Sequence, residues 1–451
     1  MRKLIYFLLL GCCGFLVWGV WATVPVSHTV GETKPAKKST VPLAEQLIKA
    51  EQNINTPRPI IPIHPQVVEK KIQRRPAPAI NKAKILTLLL AKLTQNIDNP
   101  RPSSIYLWNR HLGISGLLNL DSNYQNSYNF TRTKANHGMI SVAKLNFDLD
   151  VNSWLHAHLG LFASSEDNRY YPVNFKAKKI EADEAYLTIA NLSKSAFYAR
   201  LGKQYVPFGN YHRYPIFKTL TQQLSETRGD AAQIGYLDYH GIYYAVYAFN
   251  GATRLSAANR RDKGFNNGGV ALGYVNLNNP VGVDVGIGYL ANMADVGIIR
   301  RDLITDYYQN RVAGISLHAD LMTGPFNFAV RFVTACERFN PRDFAYQTNT
   351  RIIGAKPNAA SLTAGYKFKT KGRDSKFVLS YQWSGEAYNM SNNASMFTRL
   401  PRRRISMAYG VRFCPHLILG VEFTRDRDYA LKHGGTNRFN NTISARASIY
   451  G

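Results

Sequence analysis

The chain has 451 residues, of which 19% are charged and 12% aromatic, with 56 Lys and Arg against 29 Asp and Glu for a formal net charge of +27. That length fits two or three soluble domains or one large barrel, and so many aromatics beside so few charges suit a lipid-exposed β-surface better than a soluble one. The basic excess is dispersed, without zinc-finger spacing, a recognition helix or an RNA-binding signature, which argues against nucleic acid as a partner.

The N-terminus reads as a leader over residues 1–22. Arg2 and Lys3 form a positive n-region, Leu4 to Val20 is apolar or small, and Val20-Trp21-Ala22 offers a cleavage site before Thr23. A rival lipoprotein site at Gly11-Cys12 is opposed by Leu10 and by the apolar run continuing past Cys13. An uncleaved anchor is opposed by a run at the lower edge of spanning length. Residues 23–104 form a basic extension with two amphipathic helical stretches, Leu43 to Ile54 and Asn81 to Asp98. Prolines 57, 59, 62, 65, 76 and 78 separate them along an extended path. Such a segment has no core of its own and reads as a periplasmic extension positioned to meet periplasmic partners.

From residue 105 onward the pattern changes to period 2. Ala143, Leu145, Phe147 and Leu149 alternate with Lys144, Asn146, Asp148 and Asp150; after a short turn, Leu155, Ala157, Leu159 and Leu161 alternate with His156, His158 and Gly160. The same rhythm continues through Val281–Tyr289, Ala313–Leu321, Phe326–Phe332, Phe377–Trp383 and Ile405–Phe413 to residues 441–450, giving sixteen strands. Seven tight connections alternate with eight long polar ones. A sandwich has no reason to keep that order, whereas a barrel with both termini in the periplasm requires it. The expected fold is therefore all-β: a transmembrane antiparallel barrel of about sixteen strands over 105–451, in a Gram-negative outer membrane.

The strand phase assigns the inner wall. Lys144, Asp148, Asp150, His156, His158, Arg200, Asp284, His318, Asp320, Arg331, Lys367, Lys369, Arg412, Glu422 and Arg446 are expected to line the lumen, whose basic balance would favour anionic solutes. His156 and His158 have metal-compatible spacing but no third ligand, and read as lumenal polar residues. Asp183-Glu184 and the Asp426, Asp428 pair read as solvated rim charges. The basic clusters Lys176–Lys179, Arg260–Lys263, Arg300-Arg301 and Arg402–Arg404 are expected to face the phosphates of lipopolysaccharide, with Tyr170, Tyr171, Tyr307 and Tyr308 as loop contact surface. Cys336 and Cys414 read as free thiols rather than a disulfide framework. No hydrolase, metalloprotease or nucleotide-loop signature occurs, so no catalytic, cofactor or metal residues are assigned.

One segment is more specific. A strand carrying Arg200 continues through Gly202, Lys203, Gln204 and Tyr205 into a turn at Pro207, Phe208 and Gly209, and a Thr-Gln-Gln-Leu-Ser-Glu-Thr-Arg run follows at 221–228. With these residues the chain resembles the legiobactin-receptor siderophore porins of Legionella and Coxiella relatives, although the terminal Tyr450-Gly451 and the Pro-rich extension depart from that pattern. The resemblance implies a sixteen-stranded barrel and TonB-independent uptake of a ferric siderophore, and the chain is too short for a plug domain plus 22 strands. Two other readings stay open: a general or anion-selective diffusion porin, and an outer-membrane adhesin or envelope-anchoring protein.

Overall fold

A computed structural model describes residues 105–451 apart from 108–110, 127–133, 164–179, 212–215, 239, 256–263, 277–280, 304–306 and 388–399. The expected leader (1–22) and extension (23–104) lie outside the described residues.

Sixteen strands close into one antiparallel ring. In chain order they are β1 Leu112–Asn126, β2 Lys134–Asp150, β3 Leu155–Ala163, β4 Glu181–Ala190, β5 Phe197–Tyr205, β6 Arg228–Leu237, β7 Ile242–Phe249 and β8 Asn267–Asn276. Then come β9 Val281–Leu290, β10 Gly314–Thr323, β11 Phe326–Ala335, β12 Asn358–Thr370, β13 Arg373–Gly385, β14 Arg403–Cys414, β15 Leu417–Arg427 and β16 Phe439–Tyr450. A three-residue strand, Ile105–Leu107, adds to the foot of β1. Each strand pairs with its neighbours in sequence, and β16 returns to β1 in a seam running from Leu117 opposite Tyr450 to Gln125 opposite Thr442. Closure gives every strand two partners, as a backbone in hydrocarbon requires.

Short connections at 151–154, 191–196, 238–241, 277–280, 324–325, 371–372 and 415–416 alternate with eight longer ones, so the short side is periplasmic. The outer face is apolar: Leu201, Ile234, Val246, Leu272, Val330 and Ile443 are all exposed. Near the periplasmic rim, rings line up along the outer face from Phe326 to Tyr366 (5.0 Å) and from Tyr366 to Phe368 (5.6 Å), with Phe197, Tyr236 and Tyr244 grouped likewise on β5 to β7. Water cannot be the intended neighbour of such a belt; it matches a bilayer bounded by an aromatic girdle. The protein is an outer-membrane barrel.

Strict alternation fails where strands bulge, and each failure has a cause. The register of β1 against β2 shifts between Asn119 and Leu120, with buried Ser141 as the extra residue on β2. A second shift between Gly160 and Leu161 lets both Asp183 and Glu184 on β4 face inward. A third, between Arg412 and Cys414, ends β14 at the periplasmic rim. Leu117, which blurs the pattern of the first strand, is buried against the inner wall. Cys414 is exposed at that rim and Cys336 follows the opposite end of β11; both are free.

Small residues on the inner wall make room for large ones. A Cβ at Gly235 would run into the ring of Tyr198, and one at Gly273 or Gly286 into the Tyr243 hydroxyl. We therefore expect Gly273→Leu to overpack the wall and lower the urea midpoint of the refolded barrel by the equivalent of about 1–3 kcal/mol. Gly410→Ala, whose Cβ meets only the Leu419 carbonyl oxygen at 3.8 Å, should stay within about 0.5 kcal/mol. Equal midpoints for the two variants would mean that Tyr243 does not lie over Gly273.

Candidate functional site

The connection after β5 is where this barrel departs from a plain tube. Within the long outer loop expected near 205–230, the described residues 206–211 and 216–227 instead seat on the inner wall of the barrel. The cause is apolar: Val206, Phe208, Leu220 and Leu224 are fully buried, in one cluster with Met293, Val296 and Ile299 from the 291–313 connection. Phe339, Phe344 and Tyr429 from two further outer connections join the same cluster. Burying each large side chain contributes about 1.5–3 kcal/mol, against about 1 kcal/mol for a neutral hydrogen bond, so burial holds the segment in and polar contacts set its position.

The turn at Pro207-Phe208-Gly209 starts this path. Gly209 has φ +90°, a left-handed conformation costly for other residues, and its N–H donates to Ser316 Oγ on β10 at 3.0 Å. Asn210 Nδ2 reaches Asp320 at 3.4 Å. The Tyr211 hydroxyl lies 3.0 Å from the carbonyl oxygens of Phe208 and Ser225 and accepts the Thr227 N–H at 3.2 Å, tying the two ends of the segment. Burial pushes this phenol well above its ordinary range, so it keeps its proton. Further on, Phe217 N–H donates to Glu422 on β15 (3.0 Å) and Leu220 N–H to Gln382 on β13 (2.8 Å). The Thr221 and Ser361 hydroxyls meet at 3.1 Å. A single turn of helix, α1 Leu220–Gln223, is capped by Thr219, whose side chain accepts the Gln222 N–H. The segment thus crosses from β5 to the wall formed by β9 to β15.

The remaining motif residues support the base of this path. Gly202, at φ +129°, lets its backbone approach the Ala185 carbonyl; Lys203 stands opposite Ala185 and Asp230. Gln204 is buried and donates to the Ala231 carbonyl at 3.3 Å, and Tyr205 OH donates to Asp183 at 3.1 Å.

Most charged residues of the inner wall occur in pairs. Lys144 Nζ lies 3.2 Å from both Asp183 and Glu184, and Arg228 contacts Asp183 as well. Arg331 meets Asp320 at 3.0 Å and Arg446 meets Asp121 at 2.7 Å across the seam; Arg446 also donates to the Ile216 carbonyl at 3.1 Å. His156 stands 2.6 Å from Asp150, and His158 2.7 Å from Asp148. His318 bridges Tyr243 (3.3 Å) and Asp284 (3.4 Å). Lys367, Lys369 and Arg412 are exposed toward the periplasmic end.

Several rim assignments made from sequence are corrected. Asp183 and Glu184 are buried, not solvated, because the bulge turns both inward onto Lys144. Asp426 lies within β15 and takes Arg404 at 2.6 Å, so Arg404 faces inward and not toward lipopolysaccharide. Asp428 is buried and accepts from the Thr436 N–H and hydroxyl, both at 2.7 Å. Tyr308 is buried in the loop cluster, whereas Tyr307 is exposed. Lys176–Lys179, Arg260–Lys263, Tyr170 and Tyr171 lie outside the described residues.

Arg200 stands apart. It is 4% exposed, its guanidinium carbon sits 4.2 Å above the Tyr186 ring, and Nε and Nη1 have no hydrogen-bond partner among the described residues. The other face of that neighbourhood is the His158 ring, stacked on Tyr186 at 4.9 Å. A desolvated cation–π contact contributes about 2 kcal/mol, less than the cost of several kcal/mol for burying a guanidinium without a counter-charge.

No family model matches the chain. A UPF0422 protein of Coxiella burnetii is 25% identical over 313 residues, covering 68% of this chain and 63% of that protein. A UPF0422 protein of Legionella pneumophila (strain Philadelphia 1) is 24% identical over 374 residues, covering 75% of this chain and 66% of its own length. This chain therefore spans just under two thirds of the relatives it matches. Among solved structures, the outer-membrane channel DcaP of Acinetobacter baumannii superposes with a TM-score of 0.50 at 12% identity, over 75% of this chain and 97% of that one. The fold is that of outer-membrane porins, and the relatives come from the two genera to which the sequence resemblance pointed.

The seating of the inward segment is directly testable. With Cys336→Ser and Cys414→Ser in the background, Thr221→Cys combined with Ser361→Cys should close a disulfide under mild oxidation, read as loss of two labelable thiols and a mobility shift on non-reducing gels. Thiols that stay free in the folded barrel would place residues 206–227 outside the lumen.

Proposed function

We propose that the protein is a diffusion channel for small anionic solutes, and that a ferric siderophore taken up without TonB is its specific substrate. The observation that carries the channel reading is the inversion of polarity across the wall: apolar outside, and inside a face that carries the charged and amide side chains of the strands. The inward segment then acts as the constriction that a permeant must pass.

Preference for anions is supported by Arg200 at mid-wall and by the exposed Lys367, Lys369 and Arg412 near the periplasmic mouth. The siderophore rests on the resemblance at Tyr198–Tyr211 and the run at 221–228. On the outer rim, Arg403, Arg425 and Arg427 share the outward face, with Arg425 4.4 Å from the Phe439 ring. These cations suit lipopolysaccharide phosphates.

The full chain in planar bilayers under a KCl gradient should give discrete channels with a reversal potential on the anion-selective side. A deletion strain should lose most uptake of the iron-loaded, labelled siderophore. Channels with unchanged uptake in the deletion strain would leave general diffusion in place of siderophore transport. Absence of any current from heat-modifiable, folded barrel would remove the channel reading itself and favour adhesion or anchoring.

A further inference from the structure

We propose that the outward face of β14 to β16 at the outer rim is a binding site for the phosphate groups of a lipopolysaccharide headgroup; this deepens the rim reading above and does not depend on conduction. The register brings three arginines together there. Trp383, Arg403, Arg427 and Phe439 form one row across β13 to β16, and Tyr381, Ile405, Arg425 and Asn441 form the next row toward the membrane. The row below, Leu379, Met407, Phe423 and Ile443, is wholly apolar, so the arginines stand where hydrocarbon gives way to headgroups. This is the end of the barrel that carries the long connections, hence the outer leaflet. Neighbouring strands lie about 4.8 Å apart and alternate residues about 6.8 Å apart along a strand, so the three guanidinium groups can converge on one headgroup.

Three like charges so close repel one another, and a counter-charge from outside the chain would relieve that repulsion. Arg403, Arg425 and Arg427 are exposed, and among the described residues none of them meets a carboxylate. The acids of the same strand ends point the other way: Asp426 is buried on Arg404 and Asp428 on Thr436. Within their strands, the outward faces of β7 to β12 carry no charged side chain, so the patch is local and not a share of the chain's basic excess. Arg425 and Arg427 lie 4.4 and 5.6 Å from the Phe439 ring, and Arg427 also donates to Asn437 at 3.2 Å, so two of the forks are held at the surface in advance of a ligand. A guanidinium presents paired donors to phosphate oxygens, where an ammonium offers only a point charge. Trp383 and Tyr381, 5.9 Å apart, supply an aromatic edge of the kind that sits at headgroup level.

The test uses the full chain refolded in dodecylmaltoside micelles, with bound lipid counted by native mass spectrometry. Hexa-acyl lipid A carrying both phosphates is the probe; the same lipid stripped of phosphate, and phosphatidylglycerol, are the comparisons. Wild type should bind the bisphosphorylated lipid about tenfold or more tightly than either comparison. Arg425→Gln combined with Arg427→Gln should weaken that binding about tenfold or more. Arg425→Lys with Arg427→Lys should lose a large part of the affinity, because the charge stays and the fork goes. Lys194→Gln with Lys371→Gln, the same charge change on exposed periplasmic turns, should leave binding unchanged. Equal binding of the phosphate-free lipid by wild type overturns the proposal. Equal binding of phosphatidylglycerol overturns it too, since any anionic lipid would then serve. It also falls if the Gln pair binds as wild type does, or if the periplasmic pair reproduces the loss. Should the Gln pair fail to assemble, wild-type affinity in the Lys pair overturns the proposal equally. A barrel that carries no current would sink the channel reading and touch none of these outcomes.

Discussion

Everything in this structure depends on closing the sheet at the seam between β16 and β1. In hydrocarbon no water is present to satisfy a strand edge, so fifteen good strand pairings would still be untenable without the sixteenth. The seam is specified on several levels. Its register runs over nine residue pairs from Leu117–Tyr450 to Gln125–Thr442, and the Gly116 and Gly451 backbones bond in both directions at 2.7 and 3.1 Å. Asp121 and Arg446 face each other across it on the inner side. A slip of one residue would turn Ile443 and Ile449 inward and carry Arg446 into lipid, so the side-chain pattern penalises misregister on both faces.

Once closed, a barrel of this circumference encloses more space than its wall side chains fill, and the chain fills it from above. The 206–227 segment and the connections at 291–313, 336–357 and 428–438 share one apolar cluster within the outer half. Apolar burial inside a polar-lined barrel looks paradoxical until the loops are counted as part of the interior. They bring their own core with them and meet the wall through hydroxyls, amides and backbone N–H groups such as those at Ser316, Gln382 and Glu422. The wall can therefore stay polar while the loops above it share an apolar core.

The barrel itself was legible from sequence because period-2 alternation and the short–long rhythm of connections are local signals that accumulate over sixteen repeats. The inner-wall phase followed for the same reason: Lys144, Arg331 and Glu422 lie inward because their strands run without interruption around them. What the sequence hid is non-local or irregular. The bulge opposite Gly160 turns two consecutive carboxylates inward, which alternation cannot anticipate. The inward path is held by four buried apolar residues, Val206, Phe208, Leu220 and Leu224, whose partners include residues on other loops far along the chain. Arg404 with Asp426 was read as rim because the strands extend further outward than the apolar pattern that marked them. The signal that could have found the inward segment was the excess of apolar residues in a loop otherwise rich in Thr, Gln and Ser.

The distribution of charge then changes what the net charge means. An excess of +27 suggests a lumen uniformly attractive to anions, yet many cations of the inner wall are offset by carboxylates. Lys144 faces two carboxylates, Arg228 shares one of them, and Arg331, Arg404 and Arg446 each hold their own. A paired wall exerts a short-ranged field that falls off within a few ångströms of each pair and discriminates weakly by sign. Some cations of the wall are left over from this pairing. Among the described residues of the inner wall these include the buried guanidinium of Arg200 and the exposed Lys367, Lys369 and Arg412 toward the periplasm. On the channel reading proposed above, the charges left over from this pairing, and not the net excess of the chain, set the sign of selectivity.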